Sequence, residues 1–382
     1  MKIVDVKSYV LESKLKPEQY FTWAQAKVTS RVEALLEIFT DEGVSGIGEA
    51  FGFSPMAVKA CADHSYKPLL LGENPLDTNR LWDKLYTATR MEGQKGVTVQ
   101  ALSAVDIALW DIKGKIFKTP VANLLGGRYR EWVDTYPTGL YRKDVKNQTA
   151  ALVEEARGYL DKGYRAMKLK IGFGLEDDLG KIAAIRKAIG PQIRLMLDAN
   201  CAYNASEAIW LGQRAEKFDI FWLEEPIPPE DIQGHLEIKE KIKIMLASGE
   251  SEFTRYGFRD LISKRAVDII QPDLCSVGGY SEMMKIIALA STWNIRCIPH
   301  VWGTAVGLAA NLQLQAAMPH FPTSLNPEQS LIEFDRTPNP LREELVEERF
   351  EMDGTKMKIP ERPGLGVTLN RKALEKYRIG HP

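Results

Sequence analysis

Residues 193–200 read IRLMLDAN, residues 220–226 IFWLEEP and residues 242–250 IKIMLASGE. Each run stays apolar until its last positions and then turns acidic, at Asp198, Glu224 and Glu250, with 26 residues from each acid to the next. One strand, one helix and a return per step is the unit of an eight-fold barrel, which brings strand ends from distant sequence to one rim. The same texture extends both ways. Upstream, YRAMKLKIG (164–172) places Lys168 and Lys170 near a strand end; downstream, VDIIQPD (267–273) ends on Asp273, and IRCIPHV (295–301) carries His300 27 residues later. Stretches of helical period lie between these runs. Strands apolar nearly throughout belong to a parallel sheet covered on both faces. An open doubly wound sheet collects ligands in one crevice; here polar strand-end residues continue across too many units, which favours the barrel.

Before the repeat the pattern differs. Residues 1–48 are β-like: KIVDVKSYVLES, a polar and aromatic insert at 17–30, then RVEALLEIFTDEGVSGIGEA, where Asp41-Glu42-Gly43 supplies a hairpin turn. From about Pro55 helices take over. Leu102, Val105, Leu109, Ile112 and Ile116 recur at spacings of three and four, and Gly126-Gly127 closes the helical region. An α+β domain of roughly 130 residues therefore precedes an α/β barrel.

A chain of 382 residues with 45% hydrophobic and 26% charged residues can bury a large core, which excludes disordered, collagen-like and coiled-coil classes. Fifty basic and 51 acidic residues leave a formal charge of −1, so no field favours nucleic acid or an anionic membrane as partner. An anionic ligand must be met locally. Cys61, Cys201, Cys275 and Cys297 lie far apart, without zinc-ligand spacing, as expected of a reduced, cytoplasmic protein. The N-terminus alternates like a strand and does not resemble a signal peptide, and no apolar run approaches the ~18 residues of a membrane span.

Three carboxylates converging within about 4 Å would repel by roughly 4 kcal/mol per pair at an effective dielectric near 20. A cation resolves this. Oxygen-only ligands on rigid strand ends favour a hard ion, Mg²⁺ before Ca²⁺, Mn²⁺ or Zn²⁺. Lys168 and Lys170, two apart on a strand, point to the same face, into the barrel mouth. A buried lysine beside another cation has a lowered pKa and can act as a base, which makes Lys170 the candidate, with Lys168 tuning it and contacting a substrate carboxylate. Asp273 can accept from one ring nitrogen of His300 and leave the other for proton transfer. Two proton-transfer groups and a hard cation suit removal of a proton α to a carboxylate. A ten-unit pKa mismatch in such a step costs roughly 14 kcal/mol, more than a side chain alone offsets.

At KLKIGFG, LMLDAN, WLEEP, SGES, QPDLCSVGG and PHVWGT the sequence resembles the enolase superfamily, mandelate racemase subgroup, over nearly its whole length. The resemblance implies a modified TIM barrel of (β/α)7β type over 131–335, an N-terminal capping domain over 1–130, and a segment over 336–382 that returns to the cap. It implies that Asp198, Glu224 and Glu250 bind Mg²⁺, that Lys170 and the His300–Asp273 dyad are opposed bases, and that Glu333 lies near the substrate on the last barrel strand. Loops holding Tyr20, Trp23 and Phe51, with Asn200 and Trp302 from the barrel, would bind the substrate. KLKIGFG, QPDLCSVGG, PHVWGTAV, EFDRTPNP and RPGLG resemble galactarolactone cycloisomerases and sugar-acid dehydratases in particular. The expected activity is β-elimination from a polyhydroxylated acid or its lactone, in a homo-oligomer, dimer or octamer. Racemisation or epimerisation of a 2-hydroxy acid is the alternative. A nucleotide-binding reading rests on Gly46-Ile47-Gly48 and Gly172-Phe173-Gly174, neither of which completes GxGxxG. A non-catalytic sugar-binding barrel is the third class.

Overall fold

The computed structural model describes residues 1–321, 323–327 and 330–380. Strand Ile3–Lys14 pairs antiparallel with Ser30–Thr40 along its whole length, and that strand pairs with Ser45–Ala50 across the turn at Asp41-Glu42-Gly43. Helix Val97–Ile116 crosses this sheet. Gly46 and Gly48 face it, and a Cβ on either would collide with the carbonyl oxygens of Ala108 and Ala104. The GIG motif is thus a close-packing device between helix and sheet, not a phosphate loop. Inside the 17–30 insert, Phe21–Thr22 and Lys27–Val28 form a short ribbon that the sequence pattern did not announce.

Among the described residues the barrel has eight parallel strands: Trp132–Thr138, Ala166–Lys170, Arg194–Asp198, Ile220–Glu224, Met245–Ser248, Ile269–Ile270, Arg296–Cys297 and Leu331–Asp335. Seven helices, from Gln148–Asp161 to Ala305–Ala317, connect them in a (β/α)7β arrangement. The first strand pairs with both the second and the eighth. No ladder joins the seventh to the eighth among the described residues. Instead the Val301 N–H donates to the Glu333 carboxylate at 3.1 Å across that seam. The first strand had escaped the apolar-run pattern because it carries Asp134, Thr135 and Pro137. Its polar residues meet a hairpin from the C-terminal segment, Lys356–Lys358, which pairs antiparallel with it. The end of the chain instead joins the first domain, Arg378–Ile379 pairing with strand Ile3–Lys14.

The barrel interior is filled by one residue per strand: Tyr136, Ala166, Met196, Trp222, Ala247, Ile269 and Ile298, all buried, with Leu331 packed against them. Residues two apart on a strand share a face. The next inward positions, roughly 6.6 Å higher, are Thr138, Lys168, Asp198, Glu224, Gln271, His300 and Glu333. An apolar plug thus supports a polar floor at the mouth.

Polar contacts clamp the first domain over this floor. The Glu49 carboxylate accepts from the Thr304 and Gly307 N–H groups, both at 2.9 Å, at the start of helix Ala305–Ala317. The Phe51 N–H donates to the Cys275 carbonyl at 3.1 Å. Buried Arg31 on the cap sheet donates to Asp335, on the eighth barrel strand, at 2.8 Å, and Asp335 also accepts from Arg342 at 2.9 Å. Removing Asp335 leaves two buried guanidiniums uncompensated, so Asp335→Ala should cost about 3–5 kcal/mol in a denaturation titration. Burial acts to raise the Asp335 pKa, but Arg31 and Arg342 bring it below its ordinary 3.8. A depressed carboxyl stabilises the fold above its unfolded pKa and loses that contribution as pH falls through the folded one. Acid unfolding should therefore steepen below about pH 3.8 in the wild type and flatten in Asp335→Asn.

Candidate active site at the barrel mouth

Asp198 and Glu224 are register partners at the ends of adjacent strands. Glu250 is not. Glu224 pairs with Ala247, and Glu250 lies two residues beyond the strand end at Ser248. The equal spacing of 26 thus has two origins: strand register at the first step, and a turn at the second. Gly249 makes that turn at φ +139, where a Cβ would meet the Phe258 ring at 2.7 Å. Asn200 and Glu225 also hold positive φ, at 43° and 39°, in the turns leaving the third and fourth strands. Such backbone strain concentrates where side chains must be aimed.

One oxygen from each of Asp198, Glu224 and Glu250 lies within 4.8 Å of the others. Glu224 Oε2 accepts from Trp222 Nε1 at 2.8 Å and Gln271 Nε2 at 2.9 Å, while Asp198 Oδ1 accepts from the Asn200 N–H at 2.9 Å. Glu250 Oε2 is buried and has no hydrogen-bond partner. An all-oxygen set, two of its members oriented by neighbours and the third with an orphaned atom, fits a hard divalent cation.

Lys168 is fully buried, its Nζ 2.5 Å from Glu224, 2.9 Å from Glu333 and 3.4 Å from Asp198. Lys170 donates to Asp198 and, at 2.9 Å, to Asn200 Oδ1. The lowered lysine pKa expected from the sequence assumed a cation beside the lysines; with the protein groups alone the balance runs the other way. Burial does act downward on both, but Glu224 and Glu333 around Lys168, and Asp198 beside Lys170, outweigh it and hold both above the ordinary lysine value. For Asp198, burial acts upward and the two lysines bring it to about 2; for Glu224, burial wins over Lys168 and raises it to about 7.

His300 Nδ1 is 2.6 Å from Asp273 Oδ2, and Asp273 Oδ1 accepts from the Cys275 N–H at 2.7 Å. The other ring nitrogen, Nε2, faces Glu250 at 3.6 Å and Glu333 at 4.0 Å. Burial lowers the imidazole pKa, but Glu250, Glu333 and Asp273 together raise it to about 10. Glu333 is held by Thr138, Lys168 and the Val301 N–H.

These groups open into a cavity of about 360 Å³ whose charged wall is Lys170, Glu250, His300 and Glu333, with Asn200 beside them. Its aromatic wall is Phe21, Trp23, Phe51, Phe53, Tyr141 and Trp302. Trp23, Phe51, Trp302, Asn200 and Glu333 are where the sequence led us to expect them. Tyr20 is not: Phe21 takes the place in the wall, and Tyr20 lies 5.5 Å from Lys27. Neighbours in an extended ribbon point to opposite faces, so a shift of one residue exchanges them. Gln271 was missed, although the two-residue alternation from Ile269 to Asp273 points to it. Phe21 lies in a two-residue strand and Tyr141 in an irregular segment, so neither carries a periodic signal. A larger cavity, about 710 Å³, opens beside Arg296, Ser330 and Leu331 where the seventh and eighth strands begin, and holds none of these acids.

Gly172-Phe173-Gly174 forms an anion cradle, but the chain fills it: all three N–H groups donate to Asp178 Oδ2 at 2.9 to 3.1 Å. The second glycine motif therefore offers no phosphate site either.

Comparison with known proteins agrees with this geometry. Residues 151–373 match the enolase C-terminal domain-like family, and residues 7–126 match the mandelate racemase / muconate lactonizing enzyme N-terminal domain. The chain is 44% identical to D-galactarolactone cycloisomerase of Agrobacterium fabrum over 382 residues, all of both chains. The crystal structure of the 3,6-anhydro-D-galactonate cycloisomerase from Zobellia galactanivorans superposes with a TM-score of 0.89, at 39% identity and full coverage of both chains. A variant of L-talarate/galactarate dehydratase, liganded with Mg and L-glucarate, superposes with a TM-score of 0.86 at 29% identity, over 99% of this chain and 92% of that one. With a capping domain, a (β/α)7β barrel and an acidic triad at its mouth, this chain belongs to the mandelate racemase/muconate lactonizing enzyme family of the enolase superfamily.

Proposed function

We propose that this enzyme removes the proton α to the carboxylate of a hydroxylated sugar acid and expels a β-oxygen, as water or as the ring oxygen of a lactone or anhydro sugar. The observation that carries this is that Lys170, His300 and Glu250 line one cavity, with Asp273 behind His300 and with Asp198 and Glu224 oxygens within 4.8 Å of Glu250. Asp198, Glu224 and Glu250 would hold Mg²⁺, which supplies positive charge against the substrate carboxylate. Lys168 is buried among three acids behind the cavity wall and orients that charge cluster, and the sequence-based expectation that it touches the substrate carboxylate is not met by this placement. Lys170, held by Asn200, and His300, held by Asp273, are the proton-transfer pair. One removes the α-proton and the other protonates the departing oxygen. Glu333 fixes the inner side of the imidazole, and Trp23, Phe51 and Trp302 enclose the rest of the substrate and exclude water.

The same reading divides the labour between a cap over 1–130, a barrel over 131–335 and a returning segment over 336–382, of which 381 and 382 lie outside the described residues. It places the protein in the cytoplasm, where its four unpaired cysteines stay reduced. No helix among the described residues is long and apolar enough to cross a membrane. The reading assigns no nucleic-acid or membrane partner to a chain of net charge −1. It also assigns a homo-oligomer, dimer or octamer. Val4 and Leu71, exposed at 53% and 44%, support this as apolar side chains next to residues joined by the backbone bonds from Ile3 to Glu73 and from Gly72 to Ile3. Light scattering on Val4→Glu would report the assembly.

The test is turnover of a sugar-acid library in D₂O with Mg²⁺. The expected result is a 2-keto-3-deoxy acid, or an opened ring, with solvent deuterium in the product. Deuterium at the α-carbon of recovered acid, without any keto product, would show racemisation to be the main reaction.

A further inference from the structure

Asp273 and His300 lie beyond the last laddered pair of their strands, Ile270 and Cys297, and a single isolated bridge joins them. Their relative placement therefore depends on the turns that follow, one from Asp273 into helix Gly279–Thr292, the other from His300 into helix Ala305–Ala317. The capping domain holds both turns. In the first, the Cys275 carbonyl accepts from the Phe51 N–H at 3.1 Å, and the Ser276 hydroxyl donates to the Phe51 carbonyl at 3.1 Å. Gly278 donates to Ser103 Oγ and accepts from Trp82 Nε1, both at 2.8 Å. In the second, the Thr304 N–H and hydroxyl both donate to the Glu49 carboxylate.

Each of the two helix starts is capped by a carboxylate of the other domain. The third N–H of helix Gly279–Thr292, that of Ser281, donates to Asp106 Oδ2 at 2.9 Å, and the third of helix Ala305–Ala317, that of Gly307, donates to Glu49 Oε2 at 2.9 Å. An N-cap is ordinarily supplied by the residue just before the helix. Here the acceptors come from helix Val97–Ile116 and strand Ser45–Ala50 of the cap. The approach is close: a Cβ on Gly279 would meet Asp106 Oδ2 at 2.5 Å, and one on Gly303 would overlap Glu49 Oε1. Both carboxylates are buried, and neither lines the substrate cavity. A helix N-terminus favours an anion, yet burial still pushes both up to about 7 against the N–H groups that hold them. A serine or threonine hydroxyl satisfies such N–H groups without burying a carboxylate. Helix stability alone therefore does not account for the two acids.

We propose that Glu49 and Asp106 are positioning residues for the proton-transfer dyad: through the two helix starts, the docked cap sets the distance and angle at which Asp273 meets the His300 imidazole. The proposal rests on the functional reading above for what the dyad does and adds how it is assembled. Misplacing a reacting group by about 1 Å can cost about 10²-fold in rate, so small shifts of either turn reach the chemistry.

The test applies Glu49→Gln and Asp106→Asn to the Mg²⁺-loaded enzyme; each exchanges one carboxylate oxygen for an amide donor. Asp111→Asn is the comparison. Asp111 is a third buried carboxylate of the cap, but it accepts from Ile47 at 3.0 Å and Leu365 at 2.8 Å and pairs with Lys115, none of them in either turn. Two quantities are read: kcat beside KM, and the NMR signal of the proton between His300 Nδ1 and Asp273, assigned by its loss in His300→Asn. Glu49→Gln and Asp106→Asn should each shift the signal and lower kcat by about tenfold to a hundredfold, with KM within about threefold. Asp111→Asn should lower Tm comparably, keep the signal in place and hold kcat within about twofold. Thr304→Val removes one donor to Glu49 and should shift the signal too, while Thr304→Ser should restore it; this pair decides the matter if Glu49→Gln does not fold. An unmoved signal in the folded variants, or an equal shift in Asp111→Asn, would overturn the proposal. A shifted signal with undiminished kcat leaves the positioning standing and removes the dyad's part in turnover.

Discussion

Replacing Lys170 with methionine, or His300 with asparagine, is expected to lower kcat by 10²- to 10⁴-fold, the usual share of a positioned acid or base. The two losses should differ in kind. The variant lacking the base should lose both product formation and washout of an α-deuterium label. The variant lacking the acid should keep washout while product formation falls, because the proton still leaves but the β-oxygen is not protonated. The dyad geometry makes a further distinction possible. Asp273 holds Nδ1 at 2.6 Å and is not one of the three clustered acids, so Asp273→Asn should lower kcat by a larger factor than it lowers Mg²⁺ affinity. Product formation within tenfold of wild type in both the Lys170 and His300 variants would remove the assignment.

Stripping divalent metal is expected to abolish turnover, and added Mg²⁺ to restore it. The stability signature should be as large as the kinetic one. A ligand bound only to the native state at a hundredfold its Kd stabilises by about 2.7 kcal/mol, so Tm should rise on Mg²⁺ addition. Glu224→Gln should lose most of that rise. The substitution leaves Lys168 paired to Glu333 at 2.9 Å, so the apo-protein should still fold, which separates lost metal affinity from lost structure. Unchanged activity in chelator, or an undiminished Mg²⁺-dependent rise in Tm for Glu224→Gln, would contradict the triad assignment.

Much of this site could be read before any coordinates were seen, for a physical reason. A strand buried on both faces has almost no place for a charged residue except at its end, so Lys168, Lys170, Asp198 and Glu224 stood out against apolar runs. The His300–Asp273 pair was legible in the same way, and the chain does place the two residues side by side as an isolated parallel bridge. The ribbon in the cap gave no such contrast: it is short and half-exposed, which is why Tyr20 was chosen and Phe21 is in the wall. The first barrel strand was hidden because polar residues that pair with a distant hairpin look like a loop.

Local pattern alone determined the alternation of strand and helix, the side of each strand that faces inward, and which ends carry charge. These depend on a period of two residues and on the exclusion of unpaired charge from the interior. Tertiary structure decided the rest. It set which acids surround the two lysines, Glu224, Glu333 and Asp198, because that depends on distances between strands far apart in sequence. It also decided that Glu250 enters by a turn at Gly249 and that Phe21, and not Tyr20, stands in the aromatic wall. Both depend on how separate segments meet, and neighbouring residues carry no record of that.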